Sequence, residues 1–380
     1  MPANPLHSNE NLLQMLKNNQ GLSCVVEIKQ ASIILYSSME FTQCERFLDK
    51  NAAKVFSASA LSEHIKAAGA LENAQGSSVS QQSHKQNQKK QSQLCIAKHG
   101  LNIVDLLQAL HALDLSDVLI EFALNPYASH FALTAIDLTM PANVKVEKAK
   151  IQEACAKHRL DIYQKRDLHL SDAGLLVMDM DSTVIAMECI DEIAGLAGVK
   201  DKVSQVTEAA MRGDIPFTQS LHERVACLEG IDAQQLYDIR KRLPFMPNFI
   251  SVMKLLKAAG WRLAIASGGF TFFADFVKEV ASLDYAMSNQ LEIVNGKLTG
   301  KVLGEVVDAN KKASILLELT QTLGLDRDKT IAMGDGANDL VMMQQAGHSL
   351  AYHAKRKVAE AADNAVYVGG FEGLIFTMRA

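Results

Sequence analysis

Three short apolar runs in the second half of the chain each stop at a cluster of small and acidic residues. Residues 175–178 (Leu-Leu-Val-Met) lead into Asp179-Met180-Asp181-Ser182-Thr183. Residues 262–266 lead into Ser267-Gly268-Gly269, and residues 330–333 (Thr-Ile-Ala-Met) into Gly334-Asp335-Gly336-Ala337-Asn338-Asp339. Short runs without polar alternation suit strands covered on both faces, and the stretches between them have helical periodicity. The pattern predicts an α/β fold around a doubly wound parallel sheet. In such sheets ligands collect beyond the carboxyl ends of the strands, where these clusters fall.

The clusters carry chemistry. Residues i and i+2 of an extended strand point to the same side, so Asp179 and Asp181 converge just past the sheet. Two neighbouring carboxylates repel unless a cation sits between them or one keeps a proton, and either arrangement serves phosphoryl transfer. Asp335, Asn338 and Asp339, on a glycine-eased backbone, make a hard, oxygen-rich set suited to magnesium. Each cluster alone is also compatible with a solvated turn; their recurrence at separate strand ends favours a site. Ser267 and the N–H groups after it, read as a helix start, can hold phosphoryl oxygens. Lys312, in Asp308-Ala309-Asn310-Lys311-Lys312-Ala313, is a candidate point charge for the same group.

The first half reads differently. Residues 75–93 are rich in Gln, Ser, Lys and Asn, with Val79 as the one large aliphatic side chain, which predicts a flexible linker. Around it, helical patterns at 9–19, 41–56, 103–112 and 144–158 alternate with strand patterns at 24–28, 33–36, 118–123 and 131–138. This predicts a small α+β domain over residues 1–167, ahead of a second domain at 168–380. The 38 basic and 43 acidic residues give a net charge of −5, offering no general attraction to nucleic acid. No apolar run reaches the length of a membrane span, and the polar N-terminus lacks an export pattern. Six scattered cysteines, Cys24, Cys44, Cys95, Cys155, Cys189 and Cys227, form no C-x-x-C pair, which argues for a reducing cytoplasm.

Taken in order, D-x-D-S-T, S-G-G, the lysine and G-D-G-x-N-D resemble the haloacid dehalogenase superfamily, and residues 174–380 resemble its phosphoserine phosphatase family in particular. That likeness extends to Glu188-Cys189-Ile190-Asp191-Glu192, Ala210-Met211-Arg212-Gly213, Phe217, Ser220-Leu221, Arg224-Val225 and the Phe270-Thr271-Phe272-Phe273 that follows S-G-G. The resemblance implies a Rossmann-like core with a small helical cap at about 187–244. It also implies magnesium-dependent hydrolysis of O-phospho-L-serine through an aspartyl phosphate, the last step of serine synthesis. The N-terminal region resembles the amino-acid-sensing ACT domains of longer bacterial members.

In the roles the resemblance implies, Asp179 is the nucleophile and Asp181 the acid and then the base. Magnesium is held by Asp179, Asp335 and the backbone carbonyl of Asp181. Ser267, the Gly268 N–H and Lys312 receive the phosphoryl oxygens, with Asn338 in contact with substrate and Asp339 in support. Glu188 and Arg224 match the ammonium and carboxylate of an amino-acid phosphate, while Met211 and Phe217 close the apolar side of the lid. A small-molecule substrate follows, with no nucleic acid or membrane partner, and a homodimer fits as well. The rival readings are a superfamily phosphatase with another substrate and a non-catalytic amino-acid sensor.

Overall fold

The computed structural model describes residues 24–29, 32–37, 91–101, 103–115, 118–212 and 215–379. The helical patterns at 9–19 and 41–56, and residues 75–90 of the polar tract, lie outside the described residues. The chain divides into two compact units, Met1–Lys165 and Arg166–Ala380. The division falls two residues ahead of the one read from the sequence.

The first unit is built on β1 (Cys24–Lys29), β2 (Ser32–Ser37), β3 (Gln91–Lys98), α1 (Ile103–Ala112), β4 (Leu119–Leu124), β5 (Thr134–Pro141), α2 (Lys148–His158) and β6 (Asp161–Gln164). Its sheet has the order β2-β1-β4-β5-β3-β6, with antiparallel pairing throughout. From β3 to β6 the chain runs β-α-β-β-α-β, the split-βαβ arrangement, and the β1–β2 hairpin extends its edge. The polar tract needs correcting at its end, since residues 91–93 open β3 and pair with residues 139–141 of β5. Backbone pairing overrides a composition that cannot bury a face, and the Gln93 amide donates to Thr139 Oγ1 at 3.4 Å. Two further boundaries move. Phe131 closes a 3₁₀ turn, so β5 starts at Thr134, and α2 starts at Lys148 instead of 144.

The second unit is a seven-stranded sheet formed by β7 (Leu175–Met178), β8 (Arg262–Phe270), β9 (Tyr285–Val294), β10 (Lys297–Leu303), β11 (Thr330–Gly334), β12 (His348–Tyr352) and β13 (Asn364–Val366). Its order is β10-β9-β8-β7-β11-β12-β13, parallel except for the β9–β10 hairpin. Every residue of β7 and β11 is buried, as expected where helices cover both faces. Four helices, α3 (Cys189–Leu196), α4 (Lys200–Arg212), α5 (Phe217–Ala226) and α6 (Gln234–Arg240), stand between β7 and the helix α7 (Phe249–Ala258) that leads into β8. α7 buries Phe249, Val252, Met253 and Leu256, an i, i+3, i+4, i+7 stripe. After β8 come α8 (Thr271–Ala281) and α9 (Ala309–Thr322), and the short α10 (Leu340–Gln345), α11 (Arg356–Ala361) and α12 (Glu372–Phe376) complete the layers. Arg240 fastens α6 to α8, its guanidinium 4.7 Å from the Tyr237 ring and 4.9 Å from that of Phe272. No described helix is long and apolar enough to cross a membrane.

Candidate active site

The clusters singled out in the sequence converge because β8, β7 and β11 are adjacent and parallel. Asp179 follows directly on β7, its N–H donating to Met333 O of β11 at 2.9 Å. Its carboxylate is buried and lies 2.8 Å from Lys312 Nζ, which also donates to Asp339 Oδ1 at 2.7 Å. Lys312 is only 1% exposed, so its charge rests on these two carboxylates. Burial alone would lower its pKa, but Asp179 and Asp339 outweigh it and hold the ammonium well above its ordinary value. The preceding helix start is set by Asp308, whose side chain accepts from Lys311 N at 2.9 Å. Lys311 itself turns away to Glu305, leaving Lys312 as the lysine of the site.

Asp335, Asp339 and Asp179 offer oxygens within 4.8 Å of one another. Asp339 is the least available of the three, since Lys312 holds one oxygen and the Gly336 N–H donates to the other at 3.1 Å. Asp335 accepts from Thr183 Oγ1 at 3.2 Å and is pushed up to about 7, by desolvation first and then by Asp179 and Asp339. This crowding of anionic oxygens fits a hard divalent cation, which would relieve it. Gly334 is required here, because a Cβ would lie 2.3 Å from the Asp339 carboxyl.

Asp181 is held differently. One oxygen accepts from Cys189 N–H at 3.2 Å, and the other, Oδ1, is buried without a hydrogen-bond partner. Desolvation, then Glu188 and Asp179, push its pKa up to about 8. At neutral pH this carboxyl therefore carries a proton, the state a general acid needs.

Ser267-Gly268-Gly269 differs from its sequence reading. These residues do not start a helix; they prolong β8, which slips register against β9 between Ala266 and Phe270, and α8 begins only at Thr271. The slip leaves Ser267, Gly268 and Gly269 outside the regular β8–β9 pairing, and all three line the cavity. Asn289, buried in β9, secures it by donating to Gly268 O and accepting from Val307 N, both at 2.8 Å. Gly269 N–H donates to Ser267 Oγ at 3.0 Å, which leaves the hydroxyl proton for an incoming anion. An isolated Asn within a strand carries no sequence signal, and Asn289 was not foreseen.

A cavity of about 570 Å³ opens over these groups, lined from the sheet side by Asp179, Asp181, Ser267, Gly268, Asp335 and Asn338. From the helical insert come Glu188, Phe217, Ser220 and Arg224. Ser182, at φ 57°, turns its hydroxyl to Glu188 Oε1 at 2.7 Å. Arg224 Nε donates to Ser220 O at 3.3 Å, one turn back along α5. The Phe217 ring lies over Gly268, where a Cβ would be 3.0 Å from its Cζ. The Met211 side chain lies outside the described residues. Lys355 and Lys357 line the same cavity and had no motif to mark them.

Paired acidic strand ends, a buried lysine between them and a helical insert overhead define a hydrolase of the haloacid dehalogenase class. Comparison agrees, for residues 174–347 match the haloacid dehalogenase-like hydrolases. The chain is 54% identical over 211 residues to a phosphoserine phosphatase of Vibrio cholerae, covering 56% of this chain and 64% of that one. It is 49% identical over 194 residues to the phosphoserine phosphatase of Idiomarina loihiensis, 51% of this chain and 88% of that one. The unliganded crystal structure of a probable phosphoserine phosphatase from Vibrio cholerae superposes with a TM-score of 0.64 at 42% identity, covering 75% of this chain and 85% of that one. The chain belongs to the phosphoserine phosphatase family of these hydrolases.

Proposed function

We propose that this chain hydrolyses O-phospho-L-serine to L-serine and inorganic phosphate through a phosphorylated Asp179, and that residues 166–380 carry the chemistry. The observation that carries the reading is Lys312 clamped between Asp179 and Asp339, opposite an insert that presents Glu188 and Arg224 to one cavity. The chain spans 64% of the length of the Vibrio cholerae relative.

Asp179 attacks phosphorus while the bond from phosphorus to the serine oxygen breaks, and Asp181 gives its proton to that oxygen. Water then attacks the phosphorus of the aspartyl phosphate. Asp181, now a carboxylate, takes the water's proton, and the bond to Asp179 breaks to release phosphate and restore the nucleophile. Lys312, Ser267 O–H and the backbone N–H groups around Gly268 receive the three phosphoryl oxygens, over which charge is spread in the transition state. Asp179, Asp335 and the backbone carbonyl of Asp181 would hold magnesium, which supplies charge compensation between carboxylate and phosphate. Asn338 and Asp339 steady that arrangement from the 3₁₀ turn Ala337–Asp339. In the insert, Arg224 takes the substrate carboxylate and Glu188 its ammonium, with Phe217 excluding water from above.

The four described cysteines are all unpaired, which supports a reducing cytoplasm as the setting. The test is phosphate release from O-phospho-L-serine with and without magnesium, alongside Asp179→Asn. Turnover should require the metal and vanish in the variant. Release by Asp179→Asn at a tenth of the wild-type rate or more would remove Asp179 from its role.

A further inference from the structure

Ser220 lies on α5 and lines the cavity, yet it is only 1% exposed. Its Oγ is buried and has no hydrogen-bond partner. A buried serine within a helix ordinarily returns its hydroxyl to the carbonyl four residues back. Here that carbonyl, Pro216 O, accepts the Ser220 N–H at 2.9 Å, and the hydroxyl stays out of the bond. Thr207, the other hydroxyl-bearing residue that the insert contributes to the cavity, behaves in the ordinary way, with Oγ1 donating to Val203 O at 3.0 Å. The contrast matters because a buried hydroxyl without a partner is unfavourable, and one kept on a cavity wall points to a ligand that completes it.

The neighbourhood defines that ligand. Arg224 is tied to Ser220 through its Nε and the Ser220 carbonyl, so the guanidinium folds back along α5 to the turn that carries the hydroxyl, and both residues line the cavity. Among the described residues Arg224 forms no ion pair, although Asp191, Glu188 and Asp181 lie near enough to act on it through space. An unpaired guanidinium and an unpaired hydroxyl on successive turns of one helix together suit a planar carboxylate: the first donates to one oxygen or both, the second to the free lone pair. The ammonium of an amino-acid substrate belongs with Glu188, so the hydroxyl serves as a donor here. We propose that Ser220 is a specificity-determining residue whose hydroxyl donates to the α-carboxylate of the substrate alongside Arg224. The proposal rests on phosphoserine being the substrate.

The test compares the wild type with Ser220→Ala in the full chain, with magnesium, on O-phospho-L-serine, O-phosphoethanolamine and p-nitrophenyl phosphate. The second substrate keeps the ammonium but lacks the carboxylate; the third lacks both. For phosphoserine, kcat/KM should fall about tenfold to a hundredfold, chiefly through KM, the range for one hydrogen bond to a charged group. For the other two substrates it should stay within about twofold, on the same expectation that only the lost carboxylate contact matters. Equal losses on all three, or an unchanged KM for phosphoserine, would overturn the proposal. Wild-type protein that releases no phosphate from phosphoserine would instead sink the substrate reading, and this inference with it. Stability gives an independent readout. Without ligand, Ser220→Ala should unfold at the same urea concentration as the wild type or a higher one. A clear loss of stability would mean that the hydroxyl is already paired inside the empty protein, which also overturns the proposal.

Discussion

Replacing Lys312 by methionine keeps the length of the side chain and removes its charge. Asp179 and Asp339 would then face each other with side chains only 7% and 0% exposed and no cation between them. Removing one partner of a buried ionic cluster costs about 3–5 kcal/mol, because the remaining charge is neither solvated nor compensated. For a unit of this size, where 1 kcal/mol shifts Tm by about 2–4 °C, the expected loss is about 6–20 °C. Trp261 is the only tryptophan, is buried, and donates to Leu170 O at 2.7 Å, so its fluorescence follows unfolding of this unit. The measurement belongs in chelator at pH 8, where no metal can stand in for the lysine. Its pH dependence has a definite sign. Burial, opposed by Lys312 and reinforced by Asp179, already pushes Asp339 up to about 6. A carboxyl with a raised folded pKa costs the fold more and more as pH rises from its unfolded to its folded value. Losing Lys312, which holds Asp339 down, raises Asp339 further, so the variant goes on losing stability above about 6 where the wild type has levelled off. The gap between Lys312→Met and wild type should therefore be widest at pH 8 and narrow towards pH 5. Adding Asp339→Asn to Lys312→Met should recover much of it at pH 8. A gap below about 1 kcal/mol, well under the range for a broken buried cluster, or one independent of pH, would refute the view that this lysine neutralises the strand ends.

Asp181 must start protonated, so kcat/KM should decline as pH rises through about 8, and a profile flat to pH 9.5 would contradict its role as acid. Gly269→Ala would place a Cβ 2.7 Å from Met180 Cε and 3.3 Å from Asp181 Oδ2. With Met180 fully buried, overpacking should cost about 1–3 kcal/mol in urea unfolding and displace the acid, lowering kcat by tenfold or more. Arg224→Ala should reduce kcat/KM on phosphoserine at least tenfold while sparing p-nitrophenyl phosphate, and equal losses would make the arginine structural.

The strand-end clusters were legible because the chemistry and the fold use the same residues: four or five buried apolar positions must end where the carboxylates begin. Lys312 could be singled out from Lys311, although only its burial between Asp179 and Asp339 explains the choice. Ser267-Gly268-Gly269 was placed on the wrong element because its glycines look like a helix start, whereas the register slip that frees them from regular pairing depends on β9, a tertiary partner. The opening of β3 was hidden for a related reason, as Gln91, Ser92 and Gln93 belong to the sheet through their backbone. Asn289 left no trace, and Ser220 entered the family likeness without a role. A polar residue inside an element acquires meaning only when its neighbours either satisfy it, as for Asn289, or leave it alone, as for Ser220.

The bond from Thr183 to Asp335 spans 152 positions of sequence, and Lys312 reaches the site from a third segment. No fragment shorter than the stretch from Asp179 to Asp339 contains every group of this centre. Parallel pairing of β7 with both β8 and β11 has to be complete before the carboxylates meet, and such non-local pairing forms slowly. During refolding, Trp261 can gain its bond to Leu170 O once β7 and β8 have come together, while the carboxylates wait for β11. Recovery of phosphate release should therefore trail the fluorescence signal, and turnover becomes a clock for the last strand to dock.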